Sequence, residues 1–225
     1  MGSDNKDSTK VAKQQRTGFR KFLKEWVEPI VVAFVLVTIF KMFFFQNFKI
    51  PSGSMEDTLL IGDYLFAAKF TYGTKIPFTK KRILKFREPK QGDIIIFESP
   101  SEPDKDLIKR CVAVGGQTVE IRDKQVFVDG IHFELPEHGK FEDSSIYPGD
   151  VTSRDNIPKF SVPEGMLFMM GDNRDNSNDS RFWGFLPEEN IKGKALFLYW
   201  SWDSSVMFFK RFLRVRWSRI FDLIR

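Results

Sequence analysis

Cysteine and histidine are nearly absent from this chain of 225 residues, which contains one Cys and two His. A single cysteine excludes an intramolecular disulfide bond. Both histidines, His132 and His138, lie in a polar stretch punctuated by proline and glycine, which disfavours a Ser-His-Asp triad. The chain also lacks an HExxH motif and any cluster of His and Cys, so a catalytic metal site is disfavoured too. The sequence therefore predicts neither a metal nor a cofactor.

A strong excess of positive charge is missing as well, because the formal net charge is only +5. No basic patch interleaved with aromatic residues matches a known nucleic-acid-binding motif, so no nucleic-acid partner is expected. The basic residues gather instead at the two ends of the chain. Residues 1–25 are polar and rich in lysine and arginine, which predicts a tail next to the anionic inner leaflet of a membrane.

The sequence does contain a run of 20 mostly apolar residues, from Trp26 to Phe45, which is about the length of a helix that crosses a bilayer. Its two charged residues, Glu28 and Lys41, lie towards its ends. The run is apolar on all faces and lacks the single apolar stripe of an amphipathic helix that packs on a globular core. No small-x-small pattern follows it, as a cleavable signal peptide would require. We expect an uncleaved single-pass anchor over 26–45, with residues 1–25 cytoplasmic and residues 46–225 outside.

After this run the pattern is that of β-structure. Short apolar segments at 94–97 and 166–170 indicate buried strands. Two further segments, 119–121 and 126–128, flank Asp123-Lys124 and indicate a hairpin. Residues 130–161 are polar and rich in turn formers, as in an insertion or a small second lobe. Many short strands and few helical stripes predict a mainly β domain.

A serine and a lysine are the residues that could carry chemistry. Ser54 lies among small residues in Ile50–Met55, where Pro51 restricts the backbone and Gly53 permits a close turn. A serine hydroxyl needs a base to become a nucleophile, and Lys109 lies in an apolar, β-prone segment that could lower its pKa. From the residues alone this pairing is only a suggestion, since most lysines are exposed to solvent.

Four segments, in this order, match a known family: Ile50–Met55 continuing to Asp63, then Gly92–Phe97, Lys109–Gly115 and Gly171–Arg181. The chain resembles the type I signal peptidases, the bacterial membrane-bound Ser/Lys proteases that remove signal peptides. The last segment is long and specific. The resemblance extends from the apolar run to Ile220 and is weakest between residues 130 and 161. One departure is Asp57, where many members have proline.

The resemblance implies a signal-peptidase-type fold, mainly β, with coiled antiparallel sheets and one preceding transmembrane helix. The core would comprise about 46–120 and 163–220, and a smaller inserted β lobe about 121–162. The enzyme would be a serine endopeptidase of the bacterial plasma membrane that cleaves preproteins after small-x-small sites on the outer, periplasmic side. Its partners would be preprotein signal peptides and the lipid bilayer.

The resemblance also implies roles for individual residues. Ser54 would be the nucleophile and Lys109 the general base. Ser52 would contribute to the oxyanion hole and Ser177 would orient the lysine, while Asp179 and Arg181 would form a bracing ion pair. Six residues would line the shallow substrate pockets: Phe48, Ile50, Met55, Leu59, Leu107 and Ile108.

Two other functions remain open from the sequence. The first is a different Ser/Lys protease, such as the self-cleaving repressor type, which shares a related core. The second is a membrane-tethered β module without activity that binds a partner through its Phe-rich surface. The apolar run before Ser54 and the segment 171–181 argue against the first, and the coincidence of Ser54, Lys109 and that segment argues against the second.

Overall fold

The computed structural model describes residues 21–75, 79, 82–203 and 214–225. Most of the predicted basic tail, residues 1–20, therefore lies outside the described residues. The chain divides into two compact units, Met1–Phe43 and Phe44–Arg225.

The first unit consists, in its described part, of helical structure. A π-helical segment, Leu23–Val27, leads into α1 (Glu28–Phe44), and Phe45 already belongs to the first strand. The side chains of α1 are apolar and largely exposed; Ile30 is 63% and Phe34 is 70% accessible. Within the described ranges, no helix is both long enough and apolar enough to span a membrane.

The second unit is mainly β, as the sequence predicts. Its strands are β1 (Phe45–Lys49), β2 (Asp63–Ala68), β3 (Thr74–Lys75), β4 (Arg82–Ile83), β5 (Ile94–Glu98), β6 (Asp106–Val114), β7 (Thr118–Arg122), β8 (Gln125–Val128), β9 (Ile131–His132), β10 (Ile157–Ser161), β11 (Met166–Met170), β12 (Leu186–Pro187) and β13 (Ile191–Ser201). Among the described residues after Phe44, helical structure comprises a four-residue helix, α2 (Ser180–Trp183), and 3-10 turns that include Glu188–Asn190 and Trp217–Arg219.

A seven-stranded antiparallel sheet forms the core, in the order β1-β2-β13-β5-β6-β11-β12. The long strand β13 changes register at three places along its pairings with β2 and β5. Such bulges bend a strand and increase its twist. The sheet therefore curls, and Ile50, which follows the edge strand β1, packs in the same hydrophobic cluster as Ile94 and Ile96 of the central strand β5.

A second sheet of four strands, in the order β10-β7-β8-β9, forms the small lobe. It begins at Thr118 and ends at Ser161, close to the lobe expected over 121–162. The predicted hairpin is confirmed: Asp123 and Lys124 connect β7 to β8, with φ values of 47° and 70°. Two consecutive positive φ values in a two-residue loop are those of a type I′ turn, which matches the twist of the flanking strands.

Candidate active site

The nucleophile candidate lies in the loop 50–62 that connects β1 to β2 and is called the nucleophile turn below. The turn closes through two backbone hydrogen bonds, from Ile50 N to Asp63 O (2.8 Å) and from Gly62 N to Ile50 O (3.1 Å). Met55 and Leu59 are fully buried in the cluster below it, which anchors the turn to the core. Ser54 itself is 9% exposed. The segment that carries its hydroxyl is therefore anchored to the hydrophobic core, and the hydroxyl is largely shielded from water.

Lys109 meets this serine from the opposite side of the site. It lies on β6, where it pairs with Ile95 of β5, and its Nζ donates a hydrogen bond to Ser54 Oγ at 2.5 Å. Only 2% of Lys109 is exposed. Strand alternation puts Lys109 on the same face as Leu107 and Cys111, and both of these residues pack in an apolar cluster.

Burial determines the electrostatic state of Lys109. Loss of hydration lowers the pKa of its ammonium group from 10.5 to about 8. The negative charges of Asp179 and Asp172 oppose this shift, while Arg181 and Lys105 add to it. With a pKa of about 8, roughly a tenth of the Lys109 amines are neutral at pH 7. A neutral amine within hydrogen-bond reach of a serine can accept its proton.

The loop 171–181 packs directly against the serine and the lysine. Gly171 occupies a position where a Cβ would collide with Ser54 O and with the Ser177 side chain, so only glycine fits there. Ser177 is 5% exposed and lies next to the Asp179 carboxylate. Its Oγ has no well-formed hydrogen bond to any described residue, including Lys109.

Asp179 and Arg181 form a fully buried ion pair. Arg181 Nε and Nη2 donate to the two Asp179 oxygens, each at 2.9 Å, and Gly171 N donates to the same carboxylate at 3.0 Å. Asp179 also caps α2 by accepting a bond from Arg181 N. Burial alone would raise the pKa of Asp179, but Arg181 lowers it below its ordinary value. Asp179 is thus a fixed negative charge whose oxygens are already occupied.

Sequence reasoning assigned no role to Asp172, which links three parts of the site. Its carboxylate accepts two bonds from Arg110, at 2.8 and 2.7 Å, and one from Thr58 Oγ1 at 2.7 Å. Asp172 and Arg110 are both buried. The pair therefore ties the nucleophile turn to the strand that bears Lys109. The alternation of side chains along β6 could have suggested this ion pair, because it directs Arg110 away from Lys109 and towards solvent or an acidic partner.

Asn173 was also missed by sequence reasoning. Its backbone N–H donates to Ser54 O at 3.2 Å, and its side-chain amide donates to Gly53 O at 3.3 Å and to Glu142 Oε1 at 2.7 Å. Asn173 is fully buried. It therefore holds the two carbonyl groups on either side of the nucleophile's backbone N–H, a role that no sequence pattern signals.

The six expected pocket residues separate into two groups. Ile50, Met55 and Leu59 are buried members of one hydrophobic cluster, and Phe48 and Ile108 are half-buried against that same cluster. Leu107 packs instead against the cluster that contains Phe97. Ser52 is exposed to solvent. Five of these six residues therefore belong to, or pack against, one hydrophobic cluster at the nucleophile turn.

Asp57 adopts a backbone conformation that proline cannot take, with a φ of 72°. Its carboxylate lies 3.1 Å from Lys140 Nζ, which also contacts Glu56 at 3.0 Å and Glu142 at 3.5 Å. The departure from the family pattern thus comes with a different local backbone and an ion-pair cluster at the rim of the site. Within the described part of the chain, no three His, Cys, Asp or Glu side chains converge to hold a metal.

The family model for "Signal peptidase, peptidase S26" matches residues 23–200. The chain belongs to this family. Signal peptidase I of Rickettsia typhi is 33% identical, with 96% of this chain and 97% of that protein aligned. Signal peptidase I of Buchnera aphidicola subsp. Acyrthosiphon pisum is 31% identical over 91% of this chain and 83% of that protein. That of Aquifex aeolicus is 33% identical over 80% and 85%.

Membership of the signal peptidase family decides between the enzymes that the sequence left open. The matched region includes Ser54, Lys109 and the whole of the loop 171–181. The match therefore favours a signal peptidase over a self-cleaving protease of the repressor type.

Proposed function

We propose that this protein is a membrane-anchored serine endopeptidase that removes N-terminal signal peptides from preproteins after small-x-small sites. The observation that carries the proposal is the 2.5 Å hydrogen bond between Lys109 Nζ and Ser54 Oγ in a buried site. Relatives named signal peptidase I, similar over most of their length, support the same substrate class.

The proposed reaction uses Lys109 for every proton transfer. Neutral Lys109 removes the Ser54 proton as Oγ attacks the scissile carbonyl, and the resulting ammonium then protonates the leaving amine. The same lysine then deprotonates a water molecule that attacks the acyl carbonyl, and it returns this proton to Ser54 Oγ as the ester bond breaks and the free carboxyl product forms. The Ser54 backbone N–H and the Ser52 hydroxyl are the proposed oxyanion donors. Asn173 supports this assignment, because it holds the Gly53 and Ser54 carbonyls in place.

The substrate is proposed to bind as an added β-strand. Strand β11 pairs with β6 only at residues 110–114, so among the described residues the outer edge of β6 at 106–109 has no strand partner. Strand β1 forms the far edge of the same curled sheet. An extended peptide at a free edge gains backbone hydrogen bonds and presents alternate side chains to the protein. The proposed site for the small side chains is the surface that Phe48 and Ile108 form over the buried cluster.

The membrane anchor is proposed to be the apolar segment 26–45. The support is an apolar helix, α1, that exposes its large side chains and ends one residue before β1. The basic residues precede it, which favours a cytoplasmic N-terminus and a catalytic domain on the outer side of the bacterial plasma membrane. In spheroplasts, added protease should then digest the domain 46–225, and its protection would contradict this orientation.

The nucleophile is tested by Ser54→Ala in purified protein with a preprotein in detergent micelles. We expect cleavage to fall by about 10³-fold or more, since removing a catalytic nucleophile leaves only binding and oxyanion stabilisation. Ser144→Ala, an exposed serine of the small lobe, is the matched control and should retain full activity. Substantial turnover by a folded Ser54→Ala protein would refute the assignment.

A further inference from the structure

The small lobe contacts the loop 171–181 through a buried ion pair. Lys124, at the tip of the β7–β8 hairpin, donates to both oxygens of Asp175 at 3.0 and 3.1 Å. The two side chains are 9% and 4% exposed. The same ammonium donates to Asp143 O at 2.5 Å, and Asp143 N donates back to Asp175 at 2.8 Å. The Asp175 carboxylate is therefore held entirely by residues of the small lobe.

Arg154 extends this network to the ion pair next to the catalytic lysine. Its Nε lies 3.7 Å from Asp175, and its guanidinium forms two 2.8 Å bonds to Asp155. Its backbone carbonyl accepts a bond from Arg181 Nη1 at 3.0 Å, while Ser153 Oγ donates to Arg181 O at 2.6 Å. The small lobe thus holds Arg181, which in turn holds Asp179.

The loop 171–181 is accordingly fixed from two sides. Its first residues pack on the nucleophile turn through Gly171 and Asn173, and its later residues are bound by the small lobe. Ser177 and Asp179 follow the contacts with the nucleophile turn and lie between Asp175 and Arg181, the two residues that the small lobe binds. Their positions relative to Lys109 then depend on both attachments, because a loop held at one end only retains conformational freedom at the other.

We propose that Lys124 and Asp175 are positioning residues for the reaction: they fix the loop 171–181 so that Ser177 and Asp179 stay in place beside Lys109. This inference rests on the proposed roles of Ser54 and Lys109. It gives the small lobe, where the resemblance to the family is weakest, a function in catalysis that is exercised through hydrogen bonds and charge.

Loosening of the loop 171–181 is expected to raise the pKa of Lys109. The charges that act on Lys109 are Asp179 and Asp172, which favour the ammonium form, and Arg181 and Lys105, which disfavour it. The largest influence is the loss of hydration, which lowers the pKa. A loosened loop admits water to Lys109, so its pKa moves back up towards that of a free lysine. Less neutral base is then available at a given pH.

The test uses the full chain in detergent, with Lys124→Met, Asp175→Asn, the double variant, and Lys124→Arg as the conservative replacement. We expect kcat to fall by about 10- to 100-fold with little change in KM, as for a small misplacement of a catalytic group. The midpoint of the pH–rate profile should rise in Lys124→Met and Asp175→Asn and return towards the parent value in Lys124→Arg. Arg122→Gln, on the same hairpin but 59% exposed, is the matched control and should behave as the parent.

Two readouts separate positioning from stability. Circular dichroism gives the folded fraction of each variant under assay conditions, and rates are compared per folded molecule. A rate per folded molecule equal to that of the parent, or an unchanged pH midpoint, would overturn the proposal. Ser54→Ala and Lys109→Met are measured alongside. If they stay active, the proposed dyad is wrong; if they are inactive while the Lys124 variants behave as the parent, only the positioning role is wrong.

Discussion

Two lysines lie close to the nucleophile turn, and their surroundings shift their pKa values in opposite directions. Lys109 is 2% exposed and its hydrogen-bond partner is the neutral hydroxyl of Ser54, so burial lowers its pKa to about 8. The side chain of Lys140 is 29% exposed and lies among the carboxylates of Glu56, Asp57 and Glu142. The hydrogen bond to Glu56 and the charge of Asp57 raise its pKa above the ordinary value.

Carboxylates are present near both lysines, and the difference lies in what those carboxylates bind. Asp179 and Asp172 are the two acids that act on the pKa of Lys109. Asp179 forms a buried bidentate pair with Arg181, and Asp172 forms one with Arg110. The positive charges of these arginines largely compensate the two carboxylates, which weakens the effect of the carboxylates on the pKa of Lys109. The carboxylates around Lys140 have no such arginine partners in the described structure. A buried lysine whose nearby acids are paired with other cations thus has a lowered pKa, as the proposed base requires.

The largest expected effect is on activity, from substitutions that remove the basic amine at Lys109. Lys109→Arg should be as inactive as Lys109→Met, with a loss of about 10³-fold or more, because arginine keeps the charge but cannot release its proton at usable pH. Initial rates of preprotein cleavage measure this. Appreciable activity in Lys109→Arg would mean that the lysine acts only through its positive charge.

The next effect is the pH dependence of the parent enzyme. Only the neutral form of Lys109 can accept the Ser54 proton, so the rate should rise with pH and reach half of its plateau near pH 8. Cleavage of a peptide substrate between pH 6 and pH 10, at constant ionic strength, gives this midpoint. A rate that is flat over that range would contradict the low pKa of Lys109.

A third effect concerns stability. An unfolded lysine titrates near 10.4 and the folded Lys109 near 8, so the unfolded state binds more protons between these values and stability should rise with pH across that window. At pH 7 the folded state therefore bears a cost of about 3 kcal/mol, which Lys109→Met removes. Denaturant titrations at pH 7 and pH 10.5 should show a gain that shrinks at the higher pH. Exposed Lys159→Met is the control, and an equal gain at both pH values would refute this linkage.

The smallest effect is expected from substitution of the second lysine, Lys140. Lys140→Gln removes a partly exposed ion-pair cluster, and such pairs change stability by no more than about 1 kcal/mol and weaken with salt. The pH–rate midpoint should stay where it is in the parent, since Lys140 does not act on Lys109. Stability at low and high ionic strength measures the first expectation. A shifted midpoint in this variant would show that the two lysines are coupled.

Much of the site could be predicted from local pattern. The apolar runs at 94–97 and 166–170 are strands of the core sheet, because a buried strand requires such a run in any fold. Asp123-Lys124 forms the predicted hairpin turn. The apolar, β-prone segment around Lys109 also indicated surroundings that could lower its pKa, and Leu107 and Cys111 on its face of β6 pack in an apolar cluster.

Other parts of the site depend on residues far apart in the chain, and local pattern does not reveal them. Arg110 and Asp172 are separated by 62 residues, and Thr58 and Asp172 by 114. Lys124 reaches Asp175 across 51 residues, so the turn of a locally predicted hairpin is bonded to the loop 171–181. Each of these side chains, considered alone, is an ordinary polar residue of a turn or strand.

The sequence by itself determined the residue types of the chemistry: a serine on a Pro/Gly turn, one lysine in an apolar strand, and almost no histidine or cysteine to offer another mechanism. Only the tertiary structure shows that this lysine is buried and lies within hydrogen-bond distance of Ser54 Oγ. The pKa of an amine depends on how much water reaches it and on whether nearby carboxylates are free, and both are set by contacts between distant segments. The same side chain at Lys140, in a wetter and more acidic place, remains an ammonium ion.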